Sequence, residues 1–122
     1  MAVKHLNDYF DFEKFIQGKT LQVTDCKPHF VYVDGKKSDS SDGTSLSVIV
    51  VADKQKNNKF STFKITLIGQ NLELDAENDT YIVSFKSFEG LETSIYGQFH
   101  NELSVKAGAN NIKLGKVSAD EN

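Results

Sequence analysis

Lysine stands directly beside an aromatic ring at Lys59-Phe60, Phe63-Lys64 and Phe85-Lys86. Such a pair can stack a nucleobase on the ring while the ammonium screens the neighbouring phosphate, without reading sequence. All fourteen Lys/Arg positions are lysine, and arginine is absent. An ammonium is a mobile point charge, whereas the planar guanidinium fork is what reads a base edge bidentately. The chemistry on offer is screening and stacking. Lys59, Lys64 and Lys86 are the phosphate-screening candidates, and Phe60, Phe88 and Tyr96 are the stacking candidates. Lys36 and Lys37, on a polar loop, can close over a bound strand. Phe63 and Phe85 alternate with aliphatic residues and read as core, whereas Phe60 shares parity with Lys64 and reads as exposed.

The other reactive side chains do not gather. His5, His29 and His100 are far apart, and none stands at ligand spacing from another histidine or from Cys26. Cys26 and His29 are three apart, which in an extended chain points them to opposite faces. Residues 34–43, DGKKSDSSDG, have the look of a calcium loop but lack the closing glutamate. Glu73, Asp75, Glu77 and Asp79, flanked by Asn71, Asn78 and Thr80, read as solvent-facing and not as an acid–base pair. No phosphate-cradling glycine loop, nucleophile elbow or dinucleotide fingerprint is present. The expectation is a non-enzyme with no metal site and no cofactor.

The elements that must position these side chains follow from periodicity. Leu6, Tyr9, Phe10, Phe12, Phe15 and Ile16 recur at helical spacing, so a helix of about three turns is expected over 6–17. Asn7 or Asp8 can cap it, and Gly18 stands where a helix-ending glycine belongs. Six large apolar or aromatic side chains on so short a helix demand a partner surface, most simply the protein's own sheet. From residue 19 the period becomes two. Strands are expected at 20–24, 29–33, 46–52, 60–68, 81–85, 91–96, 103–105 and 112–114. Pro28 fits a strand start or an edge, and Asp34-Gly35 is a tight-turn signal. Residues 36–43 and 53–59 read as polar loops, and the near-continuous aliphatic run 46–52 as a strand covered on both faces. The pattern predicts a mainly β fold: a small OB-like β-barrel of five to eight short strands with one N-terminal amphipathic helix. The expected organisation is a helix at 1–18 docking on a barrel at 19–116, with a frayed tail at 117–122.

Composition sets outer limits. A chain of 122 residues with 39% apolar and 25% charged residues can bury one core. The net charge of −3 excludes a strongly basic nucleic-acid coat, so polyanion binding has to come from a local patch. Lone Cys26 has no partner for an internal disulfide, and Asp8, Asp11 and Glu13 interrupt any leader-like run. A cytoplasmic location with no membrane segment is expected.

The order of segments is also familiar. VDGKKSD at 33–39 is followed by SLSVIVVAD at 45–53, FKITLIG at 63–69, YIVSFKSFEG at 81–90, SIYG at 94–97 and LSVKAGANNIKLGK at 103–116. Over roughly 19–116 this resembles the small β-proteins of Gram-positive conjugative elements and their phage relatives, which act as helicase-processivity and single-strand-binding accessories. The KAxxI close of that family is represented by Lys106-Ala107 and Ile112. The resemblance implies an OB-like barrel that binds single-stranded DNA beside a helicase or replication protein. The sequence therefore supports a non-specific single-stranded DNA-binding accessory protein of a mobile element or phage. The competing expectation is a structural or protein-interaction module that uses the aromatic helix and an edge strand.

Overall fold

The computed structural model describes residues 11–56, 58–96 and 102–117. The fold is mainly β, with one short helix among the described residues. The helix α1 is Phe12–Ile16, capped by the Asp11 carboxylate, which accepts from the Lys14 backbone N–H at 3.1 Å. It therefore starts later than the expected 6–17 helix, because Asp11 is itself extended; Asn7 and Asp8 lie outside the described residues. Gly18 follows with a φ of +74°, a value favourable for glycine at a helix end.

Seven strands form one sheet: β1 (Lys19–Val33), β2 (Lys36–Asp53), β3 (Thr62–Ile68), β4 (Thr80–Phe85), β5 (Glu92–Tyr96), β6 (Glu102–Ala107) and β7 (Ile112–Val117). Their order across the sheet is β5-β6-β3-β2-β1-β4-β7. All neighbours are antiparallel except β3 and β6, which run parallel. Strand β7 runs through Val117, and residues 118–122 lie outside the described chain.

Asp34 and Gly35 both have positive φ, 52° and 79°, which is the two-residue turn that matches strand twist. From it β1 and β2 run back as a long ribbon, pairing from Val33↔Lys36 onward. Residues 36–43 are thus strand and not the expected loop. Among the described residues no third strand pairs with the ribbon beyond Gly43, and its sequence lacks the alternation that marks a half-buried strand. Residues 46–52 also differ from expectation: Leu46, Val48 and Val50 are buried, while Ser47, Ile49 and Val51 between them stay partly exposed. Pro28 lies within β1, opposite Thr44 on β2, on a stretch where β4 no longer pairs with β1.

The sheet must roll. Strands β6 and β7 stand second and seventh in the order, roughly 24 Å apart in a flat sheet at ~4.8 Å per strand. Residues 108–111 join them, and five residue steps reach at most ~18 Å even when fully extended. They are instead folded tightly, the Asn111 N–H bonding the Gly108 carbonyl at 3.0 Å. Residues 86–91 make the reverse crossing from β4 to β5, and Asn111 ties the two connections together by donating to the carbonyls of Ser87 and Glu89. Among the described residues no pairing joins β5 or β6 to β4 or β7, so the roll is not closed as a barrel.

Rolling brings core residues of every strand but β5 into one cluster, including Leu21, Val23, Leu46, Val48, Ile65, Leu67, Val83, Val105 and Ile112. Helix α1 covers one end of it. Phe12 is buried and meets Phe85 edge-on at 4.9 Å and Phe63 at 6.2 Å between centroids. The helix is docked on its own sheet. Gln55 Nε2 donates to the Gln17 carbonyl at 2.9 Å, and the Lys19 ammonium donates to the Phe15 carbonyl at 2.6 Å. Lys19 also pairs with Asp53 at 3.6 Å, and both side chains are buried.

Candidate functional site

Alternation along the strands puts the residues between core positions on the outer face. On β3 these are Thr62, Lys64 and Thr66, since Phe63, Ile65 and Leu67 point inward. Pairing then sets their neighbours: Lys64 lies between Ser47 on β2 and Ser104 on β6, and Thr66 between Ser45 and Lys106. Tyr96 on β5 stands directly opposite Glu102 on β6. A groove of about 310 Å³ opens here, lined by Thr24, Ser47, Thr62, Lys64, Tyr96 and Glu102, with apolar surface from Phe63 and Leu103. Four hydroxyls, one ammonium and one carboxylate converge on it. Its volume is at the low end of the ~300–1,000 Å³ usual for ligand clefts.

The structure brings Lys64 and Tyr96 together in this groove. Lys59 and Phe60 lie on the β2–β3 connection just ahead of Thr62, at the same end of β3. The shared-parity reasoning for Phe60 does not apply, because the strand begins only at Thr62. Phe60 is set by a turn instead, its N–H bonding the Val50 carbonyl at 2.7 Å. It is 67% exposed and holds a φ of +73°, with the Lys59 ammonium 5.1 Å from its ring centroid. A bulky aromatic in the left-handed region costs folding energy, and an exposed one regains little of it. Backbone outliers of this kind concentrate at functional sites.

The remaining candidates lie elsewhere. Lys36 and Lys37 sit at the ribbon tip, about 35 Å along β2 from Ser47 at ~3.3 Å per residue. Lys37 lies over the Phe30 ring at 3.9 Å. Lys86 and Phe88 sit on the 86–91 connection, where the Lys86 N–H bonds the Asn111 carbonyl. The Phe88 ring stacks on Phe85 at 6.0 Å and packs against the core, so it is a covering residue and not an open platform.

Charge on this face is balanced. Strands β3, β5 and β6 carry Lys64 and Lys106 against Glu92 and Glu102, with Lys106 3.7 Å from Glu92. The acidic segment 73–79 is solvent-facing as expected, while Leu74 and Ala76 between its acids, and Leu72 just before them, pack on the core. Within it, hydrogen bonds from the Asn78 side-chain amide and backbone N–H hold the Asp75 carboxyl below its ordinary range. Among the described residues no group of histidine, cysteine and acidic side chains could hold a metal ion, and no helix is long and apolar enough to cross a membrane.

Sequence reasoning missed Glu102, Thr24, Ser47 and Thr62. Their convergence depends on the parallel β3–β6 pairing and the β5–β6 hairpin register, which no local pattern announces. It also missed the contact at the base of the ribbon, His29 Nδ1 to Asp42 Oδ1 at 2.6 Å. Compared with protein-family models, curated proteins and solved structures, the chain matches none.

Proposed function

We propose that this chain is a non-enzymatic, cytoplasmic single-stranded DNA-binding accessory protein of a mobile element or phage. In this reading the strand crosses the outer face of β2 and β3, beside a helicase or replication protein. The observation that carries it is the polar groove over those strands, with an aromatic ring and an ammonium in one lining and the exposed Phe60-Lys59 pair at the same end of β3. Tyr96 and Phe60 stack bases, and Lys64 and Lys59 screen phosphates.

Connectivity supports an OB-like description. The meander β1–β2–β3, with β4 antiparallel to β1 and β6 parallel to β3, follows five-stranded Greek-key order, with β5 and β7 added outside it. Folds of that type bind oligonucleotides across their second and third strands and adjoining loops.

The balanced charge of the face favours a second reading, a protein-interaction module. Helix α1 is occupied by its own core, so such a module would work through edge strand β5 or β7. Fluorescence anisotropy separates the two. A labelled single-stranded 15-mer is expected to bind better than its duplex, with a log–log salt slope of about −1 to −3, from ~0.7 per phosphate neutralised. Equal or tighter duplex binding, or no binding at about 50 mM salt, would discard the nucleic-acid reading and leave the interaction module.

A further inference from the structure

Within the groove, Glu102 is at odds with simple phosphate screening. A carboxylate beside a polyanion repels it, and among the described residues Glu102 has no ion-pair partner to neutralise it. A carboxylate offers acceptors only, so what it can bind favourably is a donor edge. Glu102 pairs directly across the β5–β6 hairpin from Tyr96, on the same outer face, and directly opposed side chains lie about 4.5–5.5 Å apart at Cβ. A base stacked on the Tyr96 ring therefore has its polar edge within reach of this carboxylate.

We infer that Glu102 makes the groove base-selective at one nucleotide, favouring guanine and disfavouring thymine. This inference rests on the single-strand reading above. Guanine presents N1–H and the 2-amino group side by side, a donor pair that matches the two carboxylate oxygens. Adenine and cytosine each present one amino group beside a ring acceptor. Thymine presents one N–H between two carbonyls, which face the carboxylate with like polarity. Lys64, in the same lining, is free of ion pairs among the described residues and meets the phosphate of the stacked nucleotide. The expected result is sequence-tolerant binding along most of the strand with one position that discriminates.

The test is anisotropy with the intact chain and three single-stranded probes: all-thymine, thymine with isolated guanines, and the same with inosine in place of guanine. Inosine keeps N1–H and lacks the 2-amino group. The guanine probe is expected to bind about 5- to 10-fold tighter than all-thymine, the lower part of the range for a good bidentate base contact because the site is exposed. Inosine is expected to fall between them. Glu102→Gln is expected to erase the guanine preference and to tighten all-thymine binding, with the thermal unfolding midpoint unchanged because the side chain is exposed. Equal affinity for the three probes, or a preference that survives in Glu102→Gln, overturns the inference and leaves single-strand binding standing. Failure of every probe to bind at about 50 mM salt overturns the binding reading itself, and the inference with it.

Discussion

Replacing Gly43 by alanine tests the β2–β3 contact directly. Gly43 sits opposite His29 on β1 and Ile68 on β3, where the ribbon leaves the sheet. A Cβ built there would stand 1.9 Å from the Leu67 carbonyl oxygen, 2.9 Å from its carbon and 3.2 Å from the Ile68 Cα. All three are backbone atoms, so no rotamer change relieves the clash and the strands must part by more than ~1 Å to restore a normal C···O contact. Two groups of bonds are strained by that movement. The Gly69 N–H bonds the Asp42 carbonyl at 2.8 Å, and buried Thr44 donates to the Gln70 carbonyl while accepting from the Leu72 N–H. If the movement costs the equivalent of one of these bonds, ~1 kcal/mol net, plus ~1–3 kcal/mol for overpacking, Gly43→Ala is expected to cost about 2–4 kcal/mol. Gly115, in β7, is the control, since a Cβ there meets nothing within 4 Å. Gly115→Ala is expected to change stability by less than ~0.5 kcal/mol, as surface substitutions usually do. Urea unfolding of both variants, with a check that the m-value is unchanged, gives the comparison. Equal stabilities for the two variants would refute the close approach of β2 and β3 described above.

Four further predictions concern the site, its supports and the acidic segment. Phe60→Gly is expected to leave stability unchanged or raise it by up to ~1 kcal/mol by relieving the left-handed φ, while weakening oligonucleotide binding. Phe12→Ala, which empties a buried position, is expected to cost about 3–5 kcal/mol of stability. Tyr96→Ala is expected to lose about 1–3 kcal/mol of single-strand affinity at every salt concentration. Lys64→Ala should lose less, with an effect that fades as salt rises because it removes counterion release; salt-independent loss in both variants would mean that Lys64 acts by contact and not by charge. The Asp75 carboxyl is expected to titrate below its ordinary range because Asn78 donates to its charged form. Its contribution is therefore present above the unfolded pKa and lost as pH falls through the lower folded one. NMR titration of Asp75 in Asn78→Ala should show the midpoint moving back up.

Much of the fold was legible where one face of a strand meets the core. Phe63, Ile65 and Leu67 alternate because they point inward, and β3 was readable from that alone. The Asp34-Gly35 turn was readable because two successive positive φ values favour these residue types. The strand at 36–43 was not, because its polar side chains belong to a two-stranded ribbon whose stability comes from backbone pairing and twist. At the site, Lys64 was legible through parity and Phe60 only through its result, since a turn sets it. The packing of Phe88 was not legible, because local sequence cannot show that a ring beyond a strand end folds back onto Phe85 and Phe12. The meeting of Lys64, Tyr96 and Glu102 comes from long-range pairing, to which periodicity is blind.

The parallel pairing of β3 with β6 also has a temporal consequence. The meander β1–β2–β3 is built from contacts near in sequence and can form while later segments are still unpaired. Pairing β6 with β3 closes a long loop that contains β4 and β5, a contact of high sequence separation of the kind that slows folding. Lys64 is in place on the early meander, whereas Tyr96 and Glu102 arrive with the last half of the chain. The groove is thus expected to form late in folding and to be lost in a partial unfolding that releases β5 and β6. A chain caught at that stage would keep most of its hairpin hydrogen bonds and yet have no groove.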